Sequence, residues 1–211
     1  MNKVERIYAE RPGAAEFADG YLGYVSEILA KLDRRQIAKF IDALLDARRR
    51  GATVFFLGNG GSAATASHFQ NDLTRWRDGP MRIISLTDNV AVLTAIANDH
   101  GYEHIFRMQL ENLLRPGDVV VAISVSGNSP NVVLAMEYAV SLGAVTVGLT
   151  GFDGGRLAEM VDINIHAPTL EGEYGPAEDV HMILDHLIVS FLWQWCLANV
   201  PELEAAKPTP A

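Results

Sequence analysis

Hydrophobic spacing along the chain changes character near Gly51. Before it, apolar residues recur at helical intervals. Phe17, Tyr21, Tyr24, Val25, Ile28, Leu29 and Leu32 line one face of residues 14–32, and Ile37, Phe40, Ile41, Leu44 and Leu45 form the stripe of a second helix over 34–49. After Gly51, short apolar runs at 53–57 (TVFFL), 82–86 (RIISL), 118–123 (DVVVAI), 144–149 (AVTVGL) and 162–166 (DINIH) alternate with helix-length segments. Buried β runs separated by helices predict an α/β fold with a parallel sheet covered on both faces. The stretch 176–198 is long and apolar enough for a mostly buried helix, and 201–211 (PELEAAKPTPA) reads as a frayed tail. The expected organisation is a helical extension over 1–50, packing on the domain or on a neighbouring subunit, then one domain over 51–200.

Three predicted strands end in similar polar language: GNGGS (58–62), SVSGNS (124–129) and TGFDGG (150–155). Ligands of open α/β sheets sit beyond the carboxyl ends of the strands, so these loops describe one site. In the first, Gly58, Gly60 and Gly61 permit a tight turn, and Ser62 is expected to cap the helix that carries His68. Unpaired N–H groups there suit an anion, although glycine turns also serve loops that bind nothing. In the second, the hydroxyls of Ser124, Ser126 and Ser129 precede a helix starting near Pro130, which makes a phosphate cradle without lysine. The ordinary alternative leaves Ser129 as a plain N-cap. A Walker loop is excluded because no GK[ST] ending follows, and the dinucleotide GxGxxG pattern fails at Ala63.

His68 and Asp72 are four apart on one predicted helix, and Glu178 and His186 are eight apart on another, so each pair shares a face. Two imidazoles with two carboxylates compose a site for zinc or a related divalent cation. Taken singly, each residue has a structural explanation that spacing alone ranks first, and His181 and Asp185 compete as near-neighbours for any role on the last helix.

With 211 residues and 49% hydrophobic content, the chain has material for one full core. A net charge of −9 argues against a surface that grips nucleic acid or an anionic membrane, so an anionic ligand must be held locally. The single cysteine, Cys196, excludes an intrachain disulfide and fits a cytoplasmic setting. No apolar core marks MNKVERIYAERPG as a signal peptide, and no uninterrupted apolar run of roughly 20 residues predicts a membrane helix.

The ordered set GNGGSAATASHF, IANDHGY, ISVSGNS, LTGFDGG and EDVHMILDH, spread from about Gly51 to about Leu197, resembles the phosphoheptose isomerases of the sugar isomerase (SIS) domain superfamily. The resemblance implies a three-layer, flavodoxin-like sandwich with a five-stranded parallel sheet. It also implies a homotetramer with sites at subunit interfaces, and an aldose–ketose isomerase of a seven-carbon phosphosugar with one Zn2+ per subunit. By the same resemblance Asn59, Gly60, Gly61, Ser62, Asn98, Asp99 and Glu178 contact the sugar, and Ser124, Val125, Ser126 and Ser129 hold the phosphate. His68, Asp72, Glu178 and His186 hold the metal, with Asp72 as catalytic base and His186 as acid.

The chain departs from the family pattern at three places. Asp72 stands where the family has a glutamate, one methylene longer. Glu178 replaces a glutamine and adds negative charge. A position commonly basic aligns with Trp76, flanked by Arg75 and Arg77. A related SIS-domain protein, the replication-initiator-associating adaptor, also has an aspartate at the Asp72 position and need not catalyse. His186, which the adaptor lacks, favours the enzyme. A sugar-sensing transcription regulator is disfavoured, since there is neither a helix-turn-helix module nor a basic face.

Overall fold

The computed structural model describes residues 1–75 and 81–199. The expected tail over 201–211 and the Trp76 and Arg77 positions lie outside the described residues. Three helices come first, α1 (Lys3–Glu10), α2 (Ala14–Lys31) and α3 (Arg34–Arg50). The sheet region follows as β1 (Thr53–Gly58), α4 (Gly61–Thr74), β2 (Arg82–Ser85), α5 (Val90–His100), a 3-10 turn (Tyr102–His104), α6 (Arg107–Leu113), β3 (Val119–Ser124), α7 (Pro130–Ser141), β4 (Val145–Thr150), α8 (Gly155–Met160), β5 (Ile163–His166) and α9 (Tyr174–Ala198). All five expected strands are present and parallel, in the order β2-β1-β3-β4-β5.

Strand residues alternate between two cores, as the period of two requires. Val54, Phe56, Val119, Val121, Ile123, Val147 and Leu149 face a core shared with α2, α3, α4 and α9. Phe55, Leu57, Val120 and Ala122 face a second core built from α6, α7 and α8. The fold is therefore a three-layer α/β sandwich. The helices before Gly51 belong to the first of these cores: Ile28, Phe40, Leu44 and Ala47 are fully buried in it.

The crossovers from β1 and β3 leave to opposite faces, through α4 and α7, which opens a crevice between these neighbouring strands at their carboxyl ends. Phe69 fixes α4 over the sheet by stacking on Phe56, ring centroids 4.8 Å apart, and also meets Phe40 of α3 in a tilted contact at 6.3 Å. The helix α9 has the length and the mean hydropathy, 1.3, of a membrane-crossing segment. Asp185 interrupts its apolar run, in line with the reading of the sequence, but the helix is less buried than expected, with Ile183, Leu187, Phe191, Trp193 and Leu197 exposed. One face packs on α2, α3 and α4.

The start of α9 is fastened to the N-terminal helices. Glu173, buried just before it, accepts hydrogen bonds from the Tyr24 hydroxyl at 2.5 Å and from the Leu170 and Lys3 amides. The Tyr21 hydroxyl donates to Asp179 at 2.6 Å. In this way α2 sets the orientation of the turn that carries Glu178.

Candidate functional site

At the end of β1 the chain turns through Asn59 and Gly60 into α4. Gly60 has φ +55°, a left-handed conformation that a side chain would strain, and it occupies the N-cap position. The expected cap, Ser62, is instead buried inside the first helical turn and makes no capping bond, because the turn places the glycine, not the serine, at the helix boundary. The acceptor brought to this helix end is Glu178 of α9. A Cβ on Gly61 would lie 2.3 Å from its carboxylate oxygen, so only glycine admits the approach. A carboxylate suits the positive end of α4. Burial, and secondarily the charge of Asp179, push the Glu178 carboxyl above its ordinary pKa.

The serine loop closes the other wall. Ser124 Oγ accepts from the Gly127 amide at 3.2 Å, and Ser126 Oγ from the Asn128 amide at 3.3 Å. Ser129 is the N-cap of α7 and Pro130 its first residue, as expected, yet the Ser129 side chain makes no capping bond and its hydroxyl stays available. These three serines, with Val125, Asn59, Gly60, Gly61, Ser62, Tyr174 and Glu178, line a cleft of about 240 Å³, and among the described residues no Lys or Arg stands in its wall. Asn59 is fixed there by a reciprocal amide pair with Asn131, at 2.8 and 2.9 Å, and by the Tyr102 hydroxyl at 2.9 Å. Sequence reasoning missed Asn131, Tyr102 and Tyr174, none of which sits in the glycine or serine motifs. Asn98 and Asp99 lie exposed at the end of α5, bonded to each other, and neither lines this cleft.

Farther along the same two helices lies a second constellation. Because Gly61 meets Glu178 and His68 meets His186, α4 and α9 run side by side in the same direction. His68 Nε2 is 3.1 Å from His186 Nε2, 3.5 Å from Asp72 Oδ2 and 3.7 Å from Asp185 Oδ2. Ligand atoms of His68, Asp72, Asp185 and His186 all lie within 4.8 Å of one another. Such a set of two imidazoles and two carboxylates fits a divalent ion of the zinc class.

The structure thus brings together His68, Asp72 and His186 but not Glu178. Eight residues of helix separate the Glu178 and His186 backbones by about 12 Å, so sharing a face does not place two side chains at one point. Glu178 leans towards Gly61 instead, and Asp185 stands in the cluster. Asp185 is fully buried, and burial, followed by the charge of Asp72, raises its carboxyl to about 7. Beside the cluster, Asp72 and Arg75 line a cleft of about 420 Å³ with Trp193 and Gln194 of α9. The competing histidine, His181, is buried elsewhere against the Thr150 carbonyl at 3.2 Å, and burial lowers its pKa to about 4.

A family model described as the SIS domain matches residues 20–151. The chain is 41% identical over 160 residues to a phosphoheptose isomerase of Geotalea daltonii, an alignment covering 74% of this chain and 82% of that one. Among solved structures, a phosphoheptose isomerase from Francisella tularensis superposes with a TM-score of 0.79 at 28% identity, covering 86% of this chain and 99% of its own. One from Neisseria gonorrhoeae gives 0.73 at 32% identity, covering 86% and 96%.

Proposed function

The chain belongs to the phosphoheptose isomerases of the SIS-domain family, which makes it a phosphosugar isomerase, and we propose that its substrate pair is sedoheptulose 7-phosphate and D-glycero-D-manno-heptose 7-phosphate. The observation that carries this reading is the meeting of a carboxylate and two imidazoles, Asp72, His68 and His186, on the helices that border the serine-lined cleft. The adaptor reading has no use for that meeting.

In the cleft, the hydroxyls of Ser124, Ser126 and Ser129 and the Val125 amide take the phosphate, whose charge is met by N–H and O–H dipoles at the start of α7. Asn59, Gly60, Gly61, Ser62 and Glu178 lie along the sugar. Asp72 removes the proton from the carbon beside the carbonyl, giving an enediol, and a proton is returned to the former carbonyl carbon. His186 exchanges the proton between the two oxygens as acid and base. His68, Asp72 and His186 would hold the divalent ion, zinc in this reading and one per subunit. When bound it polarises the carbonyl and hydroxyl oxygens of the sugar.

The assembly proposed is a homotetramer with sites completed between subunits. Leu187, Phe191 and Leu197 leave an exposed apolar stripe on α9 beside Trp193, more than a helix of a lone domain needs to show. Asn98 and Asp99, outside this chain's own cleft, fit a sugar contact only in such an assembly. A cytoplasmic setting belongs to the same reading, since a charged sugar phosphate does not cross a bilayer unaided.

The test is incubation of the metal-loaded protein with sedoheptulose 7-phosphate, followed by separation of ketose from aldose phosphate. Formation of the aldose is expected. A well-folded protein without turnover overturns the reading and leaves the non-catalytic adaptor.

A further inference from the structure

We propose that Asp185, in place of Glu178, completes the divalent-cation site with His68, Asp72 and His186. Asp185 is fully buried, and neither of its carboxylate oxygens has a hydrogen-bond partner. Buried polar groups are almost always paired, and an unpaired buried carboxylate is among the costliest groups a core can hold. His68 Nε2 lies 3.7 Å from Asp185 Oδ2, beyond a hydrogen bond but at the separation of two ligands around one ion. Asp185 follows on the chain from Leu184, which packs in the core, and directly precedes His186, so its backbone is held by the same turn of α9 that presents the histidine.

Charge supports the assignment. Two carboxylates at one point repel, and a divalent ion offsets both while giving Asp185 the partner it lacks. Glu178 is then released for the sugar, where its carboxylate already lines the cleft against Gly61. The resulting set has two nitrogen and two oxygen donors. This inference rests on the metal part of the reading above and is independent of the identity of the sugar.

The experiment is titration of the full-length, metal-stripped protein with Co2+, read by calorimetry and by visible absorption. The parent is expected to bind one Co2+ per chain. Asp185→Asn is expected to weaken binding on the order of 100-fold, and Glu178→Ala, which removes every donor atom from that side chain, to change it less than about threefold. The opposite pattern, or a parent that binds no Co2+, overturns the assignment. Should Asp185→Asn fail to fold, Asp185→Cys replaces it: a thiolate-to-Co2+ charge-transfer band absent from the parent supports the assignment, and a folded, Co2+-bound variant without that band overturns it. A parent that binds Co2+ tightly yet leaves sedoheptulose 7-phosphate unchanged overturns the substrate reading alone.

Discussion

The serine loop occupies six consecutive residues, 124–129, whereas His68 and His186 meet across 118 positions of sequence. The loop is made by the end of one strand and the start of one helix. Its groups are main-chain amides and short hydroxyls whose directions follow once β3 and α7 form. The cluster is made by two long helices that touch only because the sheet packs both on one face. Short side chains near the backbone tolerate small movements of the scaffold. A four-donor cluster does not, because each donor moves with its own helix. The cleft and the cluster thus differ in construction, one built locally and the other globally, and α4 and α9 border both.

Substitutions can break that division. The largest expected effect is Asp72→Ala, a loss of kcat of about 10³-fold with the KM for the sugar phosphate changed far less. An intact kcat removes Asp72 from the base role. Chelation is next: stripping the metal should abolish most turnover and lower Tm, while the phosphate end of the substrate still protects the protein in a thermal shift. Ser124→Ala should raise KM about tenfold, the loss expected of one hydrogen bond to a charged group, and spare kcat. If it lowers kcat as deeply as Asp72→Ala does, the two regions are not separable.

Gly61→Ala tests the link between the regions. Its methyl group displaces Glu178 from the end of α4, so an increase in KM of several-fold is expected, with a modest loss of Tm, while Co2+ affinity is unchanged. The smallest effect concerns pH. Asp185 has a folded pKa of about 7, above its ordinary value, so the metal-free folded state binds the extra proton. The stability from that proton is fully present below about pH 4 and is lost as pH rises through about 7. Asp185→Asn should therefore gain Tm relative to the metal-free parent as pH is raised across that window, by thermal denaturation at several pH values. His181 works in the opposite sense: its lowered pKa makes stability fall as pH drops from about 6.5 towards 4, in parent and variant alike.

The five strands were legible in the sequence to within a residue or two because both faces of a parallel sheet are buried and β-branched runs have few alternatives. The serine loop was legible for the same reason: it directly follows such a run, and Pro130 marks where the helix begins. Ser62 misled because its spacing from the strand suits a cap, while the left-handed Gly60 had already taken the boundary. Glu178 lies apart from the His68, Asp72, Asp185 and His186 group because helical periodicity reports the face on which a side chain lies and not the height to which it reaches. Asn131 carried no local signal, Tyr102 only closed the IANDHGY motif and Asp185 only stood as a near-neighbour of His186, since an amide, a phenol and an acid acquire their contacts only from what is packed opposite them.

The order of hydrophobic runs and glycine or serine turns, by itself, determined the layers of this protein, the end of the sheet where the cleft opens, and the hydroxyls and amides that line it, because each of these follows from hydrogen bonding and burial among near neighbours in the chain. Which acids stand beside His68 and His186 was decided only by the packing of α4 against α9. The donor atoms that converge come from helices whose relative rotation and height no stretch of sequence encodes.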